Sequence, residues 1–346
     1  YDGADWANRK PGQPFFAQIQ TQGGKLHGKN AEGWEKIAAA AEAKLGRRTP
    51  LEAVKLPPYY PDHPDIRRDW AAYLDSVRMT DVMVGEVIAR LKREGVLENT
   101  LVIFMTDHGI SHARGKQFLY DEGIHVPLVI AGPGVKAGAV RHDVVEHIDI
   151  AALSLAAAQI GVPDYMQARD ILAKDYQPRA AAFSARDRCD ETVDHLRSVR
   201  STRYKYIRNF LPARPHMQPC AYKDAKAILQ ALRAWHTAGK LNDTQQLLFQ
   251  PTRPQEELYD LANDPHEINN LARDPKHAAM LKTMRGQLDQ WMQKTGDHGR
   301  RPEPARMYDS DMALYLDKVK RKGDAAHLKT LQDNIAQMKR WAKEAK

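Results

Sequence analysis

The chain has 346 residues, of which 42% are hydrophobic and 28% charged, and its formal net charge is +8. This composition is typical of globular proteins and excludes disordered, collagen-like and fibrous classes, while the length allows one large domain or two ordinary ones. The most apolar stretch, 148–162, is too short and too interrupted by polar residues to span a bilayer. Two cysteines, Cys189 and Cys220, form neither a disulfide framework nor a zinc site by themselves. They therefore do not indicate whether the protein works in an oxidising or a reducing compartment.

Most of the net positive charge, five of the +8, lies near the carboxyl terminus. Residues 317–346 contain nine basic and four acidic side chains, a surplus of five. Apolar residues recur there at helical spacing, at Leu328, Leu331, Ile335, Met338 and Ala342. The pattern predicts an amphipathic helix packed on the body of the protein, and we favour this over a nucleic-acid-binding patch because no nucleic-acid-binding signature accompanies it.

The first hundred residues predict one strand and two helices. Alternation at 14–20 predicts a strand that leads into the loop at 23–27. A short helix is expected at 34–45, and successive prolines at 56–61 predict an extended segment. Apolar residues at helical spacing then predict a long helix over 66–94 that ends at Gly95.

The middle of the chain predicts α/β architecture. The continuous apolar runs 101–105 and 127–131 are typical of strands buried on both faces of a parallel sheet, and 148–159 predicts a helix. We therefore expect part of a large mixed, mainly parallel sheet flanked by helices.

Beyond residue 163 the pattern changes to short strands joined by turns, which predicts a smaller antiparallel sheet. The expected strands are 180–183, 196–201, 204–209 and 257–261, with helices near 227–235 and 281–291. The expected domain organisation is 1–175 for the second half of the α/β domain, 176–300 for the smaller α+β domain and 301–346 for the basic helical tail.

A cluster of polar residues follows the strand at 101–105. Asp107 and His108 come first, and His112, Arg114 and Lys116 follow in the same loop. Ligands of α/β sheets bind at the carboxyl ends of strands, and a carboxylate, an imidazole and a lysine suit a divalent ion and a tetrahedral oxyanion. The alternative is that Asp107 caps the turn and the other side chains are solvated.

Nearly the whole chain resembles a known family. Residues 95–109 and 115–128, the strand at 14–16, the helix at 78–91 and the stretch 257–271 resemble, in order, the type I sulfatases of the alkaline phosphatase superfamily. Residues 184–191 and 203–209 resemble bacterial members related to heparan N-sulfatases. The resemblance implies a sulfuric ester hydrolase that removes sulfate from a sulfated carbohydrate or aryl ester.

The resemblance also implies roles for individual residues. Asp107 and His108 match ligands of the active-site calcium, for which magnesium is the alternative, and Lys116 matches the lysine that binds sulfate. The position of the family's catalytic histidine corresponds to Lys25 in this chain, and His27 lies two residues further along. This departure leaves Lys25 and His27 as candidates to assist the leaving group, and His112 is a further candidate.

Three arginines are candidates for substrate binding. Arg186, Arg188 and Arg197 lie where family members shape the substrate pocket, and an arginine fork suits a carboxylate or sulfate. The alternative is that they form structural ion pairs with Asp187, Asp190 and Glu191.

The family's nucleophile is a formylglycine made from the Cys or Ser of a Cys/Ser-x-Pro/Ala-x-Arg motif. Neither Cys189 nor Cys220 fits it, and no Asp-Asp pair for the remaining metal ligands is present. We expect a carboxyl-terminal portion of a sulfatase that is inactive by itself. The full-length protein is expected in the periplasm or secreted, with a sulfated substrate, without nucleic acid or membrane span, and with its oligomeric state open. The alternatives are a phosphodiesterase or phosphonate monoester hydrolase of the same superfamily, and a non-catalytic binding module.

Overall fold

The computed structural model describes residues 3–21, 23–299, 301, 303–304 and 306–344. The described α-helices are α1 (Ala31–Leu45), α2 (Pro64–Arg93), α3 (Asp121–Ile124), α4 (Asp149–Ala157), α5 (Ala221–Asp224), α6 (Ala227–Thr237), α7 (Asp243–Gln246), α8 (Ala278–Thr295), α9 (Met307–Arg321) and α10 (Ala325–Glu344). The described strands are β1 (Val102–Met105), β2 (Leu128–Ala131), β3 (Ala182–Cys189), β4 (Thr192–Arg200), β5 (Tyr204–Asn209) and β6 (Glu256–Asp260). The α/β class expected from the sequence is confirmed.

Helices α1 and α2 pack against each other, and local signals set the ends of α1. The Asn30 side chain accepts a hydrogen bond from the Gly33 amide at its start, and Gly46 ends it with a φ of 72°. Helix α2 begins at Pro64, where the missing amide hydrogen costs no helical bond. Both helices were predicted within three residues at each end.

Strands β1 and β2 pair with each other antiparallel, from Val102 opposite Ala131 to Met105 opposite Leu128. The expectation that each of these two runs is a strand buried on both faces of a parallel sheet was therefore wrong for this pair. Neither strand is fully covered, since Val129 is exposed and the rest of the pair is at most half-buried. A continuous apolar run indicates that its side chains tend to be buried, but it does not indicate the direction of the partner strand.

The segment 14–20 forms no strand, contrary to the alternation in its sequence. Phe16 and Ile19 are both exposed. No described strand runs beside this segment to pair with its backbone groups. Alternation predicts which face a strand would bury, but the strand forms only when a partner supplies hydrogen bonds.

The smaller sheet has the order β3-β4-β5-β6, and every neighbouring pair is antiparallel. Helix α8 covers one face of it, so that Leu288 packs with Val199, Tyr206 and Leu258 in one buried cluster. Strands β3 and β4 form a hairpin whose turn places Asp190 at a φ of 51°. The antiparallel sheet and its helix were both predicted from the sequence, but β3 and β4 are longer than the expected strands 180–183 and 196–201.

Helices α9 and α10 pack on each other and on β4 through one buried cluster. Its members are Val193, Met307, Tyr308, Met312, Leu331, Ile335 and Met338. Of the basic side chains of α10, Lys329, Arg340 and Lys343 are exposed to solvent and Lys339 is half-buried. The prediction of a packed amphipathic helix near the carboxyl terminus is confirmed. Among the described residues, no helix combines the length and apolar character needed to cross a bilayer.

Replacing Met338 by alanine should lower the free energy of unfolding by about 2–5 kcal/mol, because this side chain is fully buried in that cluster. The matched control is Leu314→Ala on α9, where the leucine is 70% exposed and the expected change is within about 0.5 kcal/mol. Urea denaturation monitored by circular dichroism measures both. Equal effects of the two changes would contradict the packing of α10.

Candidate active site

The loop that joins β1 to α3 has no regular secondary structure and folds tightly on itself. The Lys116 amide donates a 2.7 Å hydrogen bond to the Ile110 carbonyl, and the Gly109 amide donates to Gly123 at 2.9 Å. A Cβ atom at Gly115 would lie 1.8 Å from the Ile110 oxygen, and one at Gly109 would lie 1.8 Å from the Glu122 oxygen. Only glycine permits these two approaches of backbone to backbone.

Two lysines from another part of the chain hold this loop. Lys223 of α5 donates from Nζ to the carbonyl oxygens of His112 at 2.8 Å and Lys116 at 2.7 Å. Lys226, which precedes α6, donates to the Ser111 carbonyl at 2.6 Å. Both lysines are buried, and burial lowers the pKa of Lys223 to about 7.

The far end of the loop is anchored to the smaller sheet by buried charges. Asp121 forms ion pairs with Arg200, at 3.0 Å, and with Lys205. Lys205 also pairs with Glu267 at 2.9 Å, and a Glu267 oxygen accepts the Asp121 amide at 2.6 Å. Arg114 donates to the Glu267 carbonyl at 2.9 Å. The loop is therefore fixed at both its centre and its end.

Asp107 and His108 lie side by side where β1 ends. The Asp107 side chain is 85% exposed, and its Oδ2 lies 3.5 Å from His108 Nε2. The other nitrogen of His108 lies 2.7 Å from the Gly109 carbonyl oxygen, which favours the tautomer that leaves Nε2 without a proton. An open carboxylate beside a ring nitrogen fits a divalent cation, although calcium takes six to eight oxygen ligands and these residues supply two donors.

Lys116 and Lys25 are the two lysines predicted to meet the sulfate and the leaving group. Lys116 is half-buried in the loop, and its Nζ lies 5.5 Å from the centre of the Tyr222 ring. Lys25 is exposed in the 3-10 turn Gly23–Leu26. Both lysines therefore reach the protein surface, as binding of an anion requires.

The two histidine candidates are buried and meet each other. His27 and His112 are 1% and 0% exposed, and their ring centroids lie 5.3 Å apart. Asp69 of α2 lies between them, with its Oδ1 3.2 Å from His27 Nε2 and 2.6 Å from His112 Nε2. Asp69 is a residue that the sequence analysis missed. One signal in the sequence could have found it: Asp69 lies three positions after the apolar Ile66 and so shares the inward face of α2.

The charge state of this cluster follows from its burial. Burial by itself would raise the pKa of Asp69, but the two adjacent imidazoles outweigh it and hold the pKa well below its usual range. Burial lowers the pKa of His112 to about 4, against the pull of Asp69. At neutral pH the cluster therefore holds a buried carboxylate beside a neutral His112.

Glu122 is a half-buried acid next to the loop. Its Oε1 atom is shielded from solvent and its other oxygen accepts from the Tyr59 hydroxyl. Burial raises the pKa of Glu122 to about 7, against the opposing effect of Tyr59, Arg114 and Lys223. This carboxyl group therefore changes charge near neutral pH.

The three arginines proposed for substrate binding contact carboxylates of the protein. Arg186 lies 3.2 Å from Asp194. Arg197 lies 2.8 Å from Asp187 and 2.7 Å from Asp297. Arg188 lies 3.2 Å from Glu303 and 2.7 Å from Asp311. Of the expected partners Asp187, Asp190 and Glu191, only Asp187 is among these contacts, and a contact with substrate stays a prediction for all three arginines.

Comparison with known proteins bears on the fold and the family. The sulfatase family model matches residues 1–160, and the model for the carboxyl-terminal part of N-sulphoglucosamine sulphohydrolase matches residues 108–215. A structure described as a 2-O GAG sulfatase superposes with a TM-score of 0.51 at 23% identity, covering 69% of this chain and 47% of that one. The fold is therefore that of the alkaline-phosphatase-like sulfatases.

Sequence relatives agree with this class. An ulvan-active sulfatase of Formosa agariphila is 31% identical over 87% of this chain and 55% of its own length. The N-sulphoglucosamine sulphohydrolase of Homo sapiens is 30% identical over 72% of this chain and 52% of its own length. The chain belongs to the sulfatase family, as the resemblance implied. It spans about half the length of these two relatives.

Replacing Gly115 by alanine should lower the thermal unfolding temperature by several degrees, because the added Cβ would meet the Ile110 carbonyl oxygen and force the loop apart. Gly286→Ala is the matched control. Gly286 lies in α8 with open space around it, so the same change should raise stability by about 0.5–1 kcal/mol. Differential scanning calorimetry measures both, and a neutral Gly115→Ala variant would contradict the tight loop.

The ordinary pKa of a glutamate is 4.5, and the pKa of Glu122 in the folded protein is about 7. The free energy of unfolding should therefore fall as the pH rises between these two values. The folded state holds the proton in this range and the unfolded state releases it, so the contribution is complete below pH 4.5 and lost above pH 7. Glu122→Gln should remove this loss, which amounts to at most about 3 kcal/mol. The measurement is the difference between the two stability curves against pH. A difference that stays constant across the range would contradict the assignment.

Proposed function

We propose that the protein is a sulfuric ester hydrolase that removes sulfate from a sulfated carbohydrate. The observation that carries the proposal is the loop after β1, where the exposed Asp107 and the half-buried His108 and Lys116 lie on one segment held by hydrogen bonds. A rigid loop that presents a carboxylate, an imidazole and a lysine to solvent suits an anion bound together with a cation. Membership of the sulfatase family supplies the chemical class of that anion.

In this proposal Asp107 and His108 hold the family's calcium ion, with magnesium as the alternative. The exposed Asp107 carboxylate is a hard oxygen donor, which suits either ion, and His108 presents Nε2 beside it. When bound, the ion neutralises negative charge on the sulfuryl oxygens. The nucleophile in the proposal is the formylglycine that family membership implies.

Lys116 binds a sulfuryl oxygen through its ammonium group. Its backbone is held on both sides, since its amide donates to Ile110 and its carbonyl accepts from Lys223. Fixing the backbone limits the positions that the ammonium group reaches and so orients the sulfate.

Lys25 is the residue we assign to the leaving group. It is exposed, whereas His27 and His112 are buried against Asp69 and do not face solvent. A lysine there stabilises the developing negative charge on the departing oxygen or nitrogen, or donates a proton to it. His27 then acts on the position of Lys25, two residues away, rather than on the substrate.

The substrate class rests on the relatives, whose names refer to ulvan and to N-sulphoglucosamine. We propose a sulfated sugar for this protein as well. Of the three arginines, Arg188 has the most accessible side chain and is the one we propose for contact with an acidic sugar. Because sulfated polysaccharides lie outside the cytoplasm, the proposal places the protein in the periplasm or outside the cell.

Lys116→Ala in the full-length gene product, made in a host that forms formylglycine, should lower kcat/KM for sulfate release at least about 100-fold. The reason is the loss of the charge that meets the sulfuryl oxygens. The rate of desulfation is measured by incubating the enzyme with sulfated oligosaccharides and quantifying the released sulfate by ion chromatography. Lys282→Ala, at an exposed position of α8, is the matched control and should leave the rate unchanged.

Asp107→Ala should lower the rate by a similar factor, and added calcium should not restore it. Wild-type rates in both the Lys116 and the Asp107 variants would overturn the proposed site. If the wild-type protein released phosphate from diesters but no sulfate, the proposed reaction class would be wrong.

A further inference from the structure

Three buried side chains from three separate segments converge on one point. They are His27 after the first 3-10 turn, Asp69 in α2 and His112 in the loop after β1, and their ligand atoms all lie within 4.8 Å of one another. Within the described part of the chain, this is the one group of at least three such side chains with that spacing. It does not include Asp107 or His108.

The inward-facing atoms of this cluster lack hydrogen-bond partners. Among the described residues, His27 Nε2, Asp69 Oδ1 and both ring nitrogens of His112 are buried without a correctly aligned hydrogen bond. The 2.6 Å and 3.2 Å contacts to Asp69 bring the atoms close but do not align a donor with an acceptor. Buried polar atoms are nearly always satisfied, so this concentration at one point needs an explanation.

The outward-facing polar atoms of His27 and Asp69, in contrast, have hydrogen-bond partners. His27 Nδ1 contacts the Gly24 carbonyl oxygen, and Asp69 Oδ2 accepts a 3.0 Å hydrogen bond from the Trp34 indole. An imidazole whose Nδ1 hydrogen bonds to a carbonyl presents the Nε2 lone pair inward. This is the arrangement by which proteins orient histidine ligands toward a metal ion.

The surroundings supply no other positive charge in contact with the carboxylate. Among the described residues, the ion pairs of Asp69 involve only the two histidines. The rings of Tyr60, Trp70 and Tyr73 pack around His112, which is shielded from bulk solvent. A fully buried carboxylate needs a partner that carries positive charge.

We propose that His27, Asp69 and His112 bind a divalent transition-metal ion of the zinc type. Two imidazole nitrogens and one carboxylate oxygen are ligands that suit zinc, and two nitrogens argue against calcium. Tetrahedral zinc with bonds of about 2.0–2.1 Å places its ligands about 3.4 Å apart. The His27–Asp69 contact of 3.2 Å is already near this value, and the His112–Asp69 contact of 2.6 Å opens on binding.

The ion would join three segments that are far apart in the sequence. It fixes the loop containing Lys25 and the loop containing Lys116 to α2, through His27, His112 and Asp69. The three side chains would leave the fourth tetrahedral position to a bound water molecule, and because the cluster is closed to bulk solvent the role we assign to the ion is structural. The proposed protein ligands are only these three side chains. Metal binding can therefore be tested independently of whether the protein hydrolyses sulfate esters.

The test is zinc content, measured by inductively coupled plasma mass spectrometry after growth with zinc and extensive dialysis. The wild-type chain should retain about one zinc per molecule. Asp69→Asn and His112→Gln should each lower the retained zinc at least about tenfold. His142→Gln, at an exposed position, and Asp107→Asn should retain the wild-type amount.

A second measurement keeps the test decisive if the cluster variants do not fold. Cobalt added to the metal-free wild-type chain should give the strong visible absorption of tetrahedral Co²⁺, and zinc should abolish it by displacement. Wild-type protein that retains no zinc and gives no such spectrum would overturn the proposal, leaving a hydrogen-bonded His–Asp–His network. Equal zinc loss in the His142 control would also overturn it.

Discussion

The candidate site depends on the way in which one irregular loop satisfies its backbone. The carbonyl oxygens of Ser111, His112 and Lys116 have no strand or helix to bond with, and the ammonium groups of Lys223 and Lys226 bond to them. Buried carbonyls without partners are costly, so the two lysines make this conformation stable. The buried position of Lys223 lowers its pKa to about 7.

The same loop is the connection between the two sheets. It begins at β1 of the two-stranded pair and ends at α3, where Asp121 meets Arg200 of β4 and Lys205 of β5. Pairing with Glu267 completes a buried charge network in which removal of one partner would leave another unpaired. The smaller sheet therefore helps to position the residues that we assign to sulfate binding.

Part of the candidate site could be read from residue order. Asp107, His108 and Lys116 lie within ten residues of each other directly after an apolar run, so their presence on one loop follows from the sequence. The cluster of His27, Asp69 and His112 could not be found in this way, because its members are 42 and 43 positions apart along the chain and come from three elements. Spacing in sequence predicts proximity only within an element or a short loop.

By itself, the sequence determined the helices α1, α2, α8 and α10, the presence of a smaller antiparallel sheet and the family, because these depend on local periodicity, on capping residues and on contiguous motifs. Only the tertiary structure decided that β1 and β2 run antiparallel, that 14–20 forms no strand, and that His27 and His112 are buried while Lys25 is exposed. Strand direction and burial depend on partners distant in the chain. Local patterns carry no information about those partners.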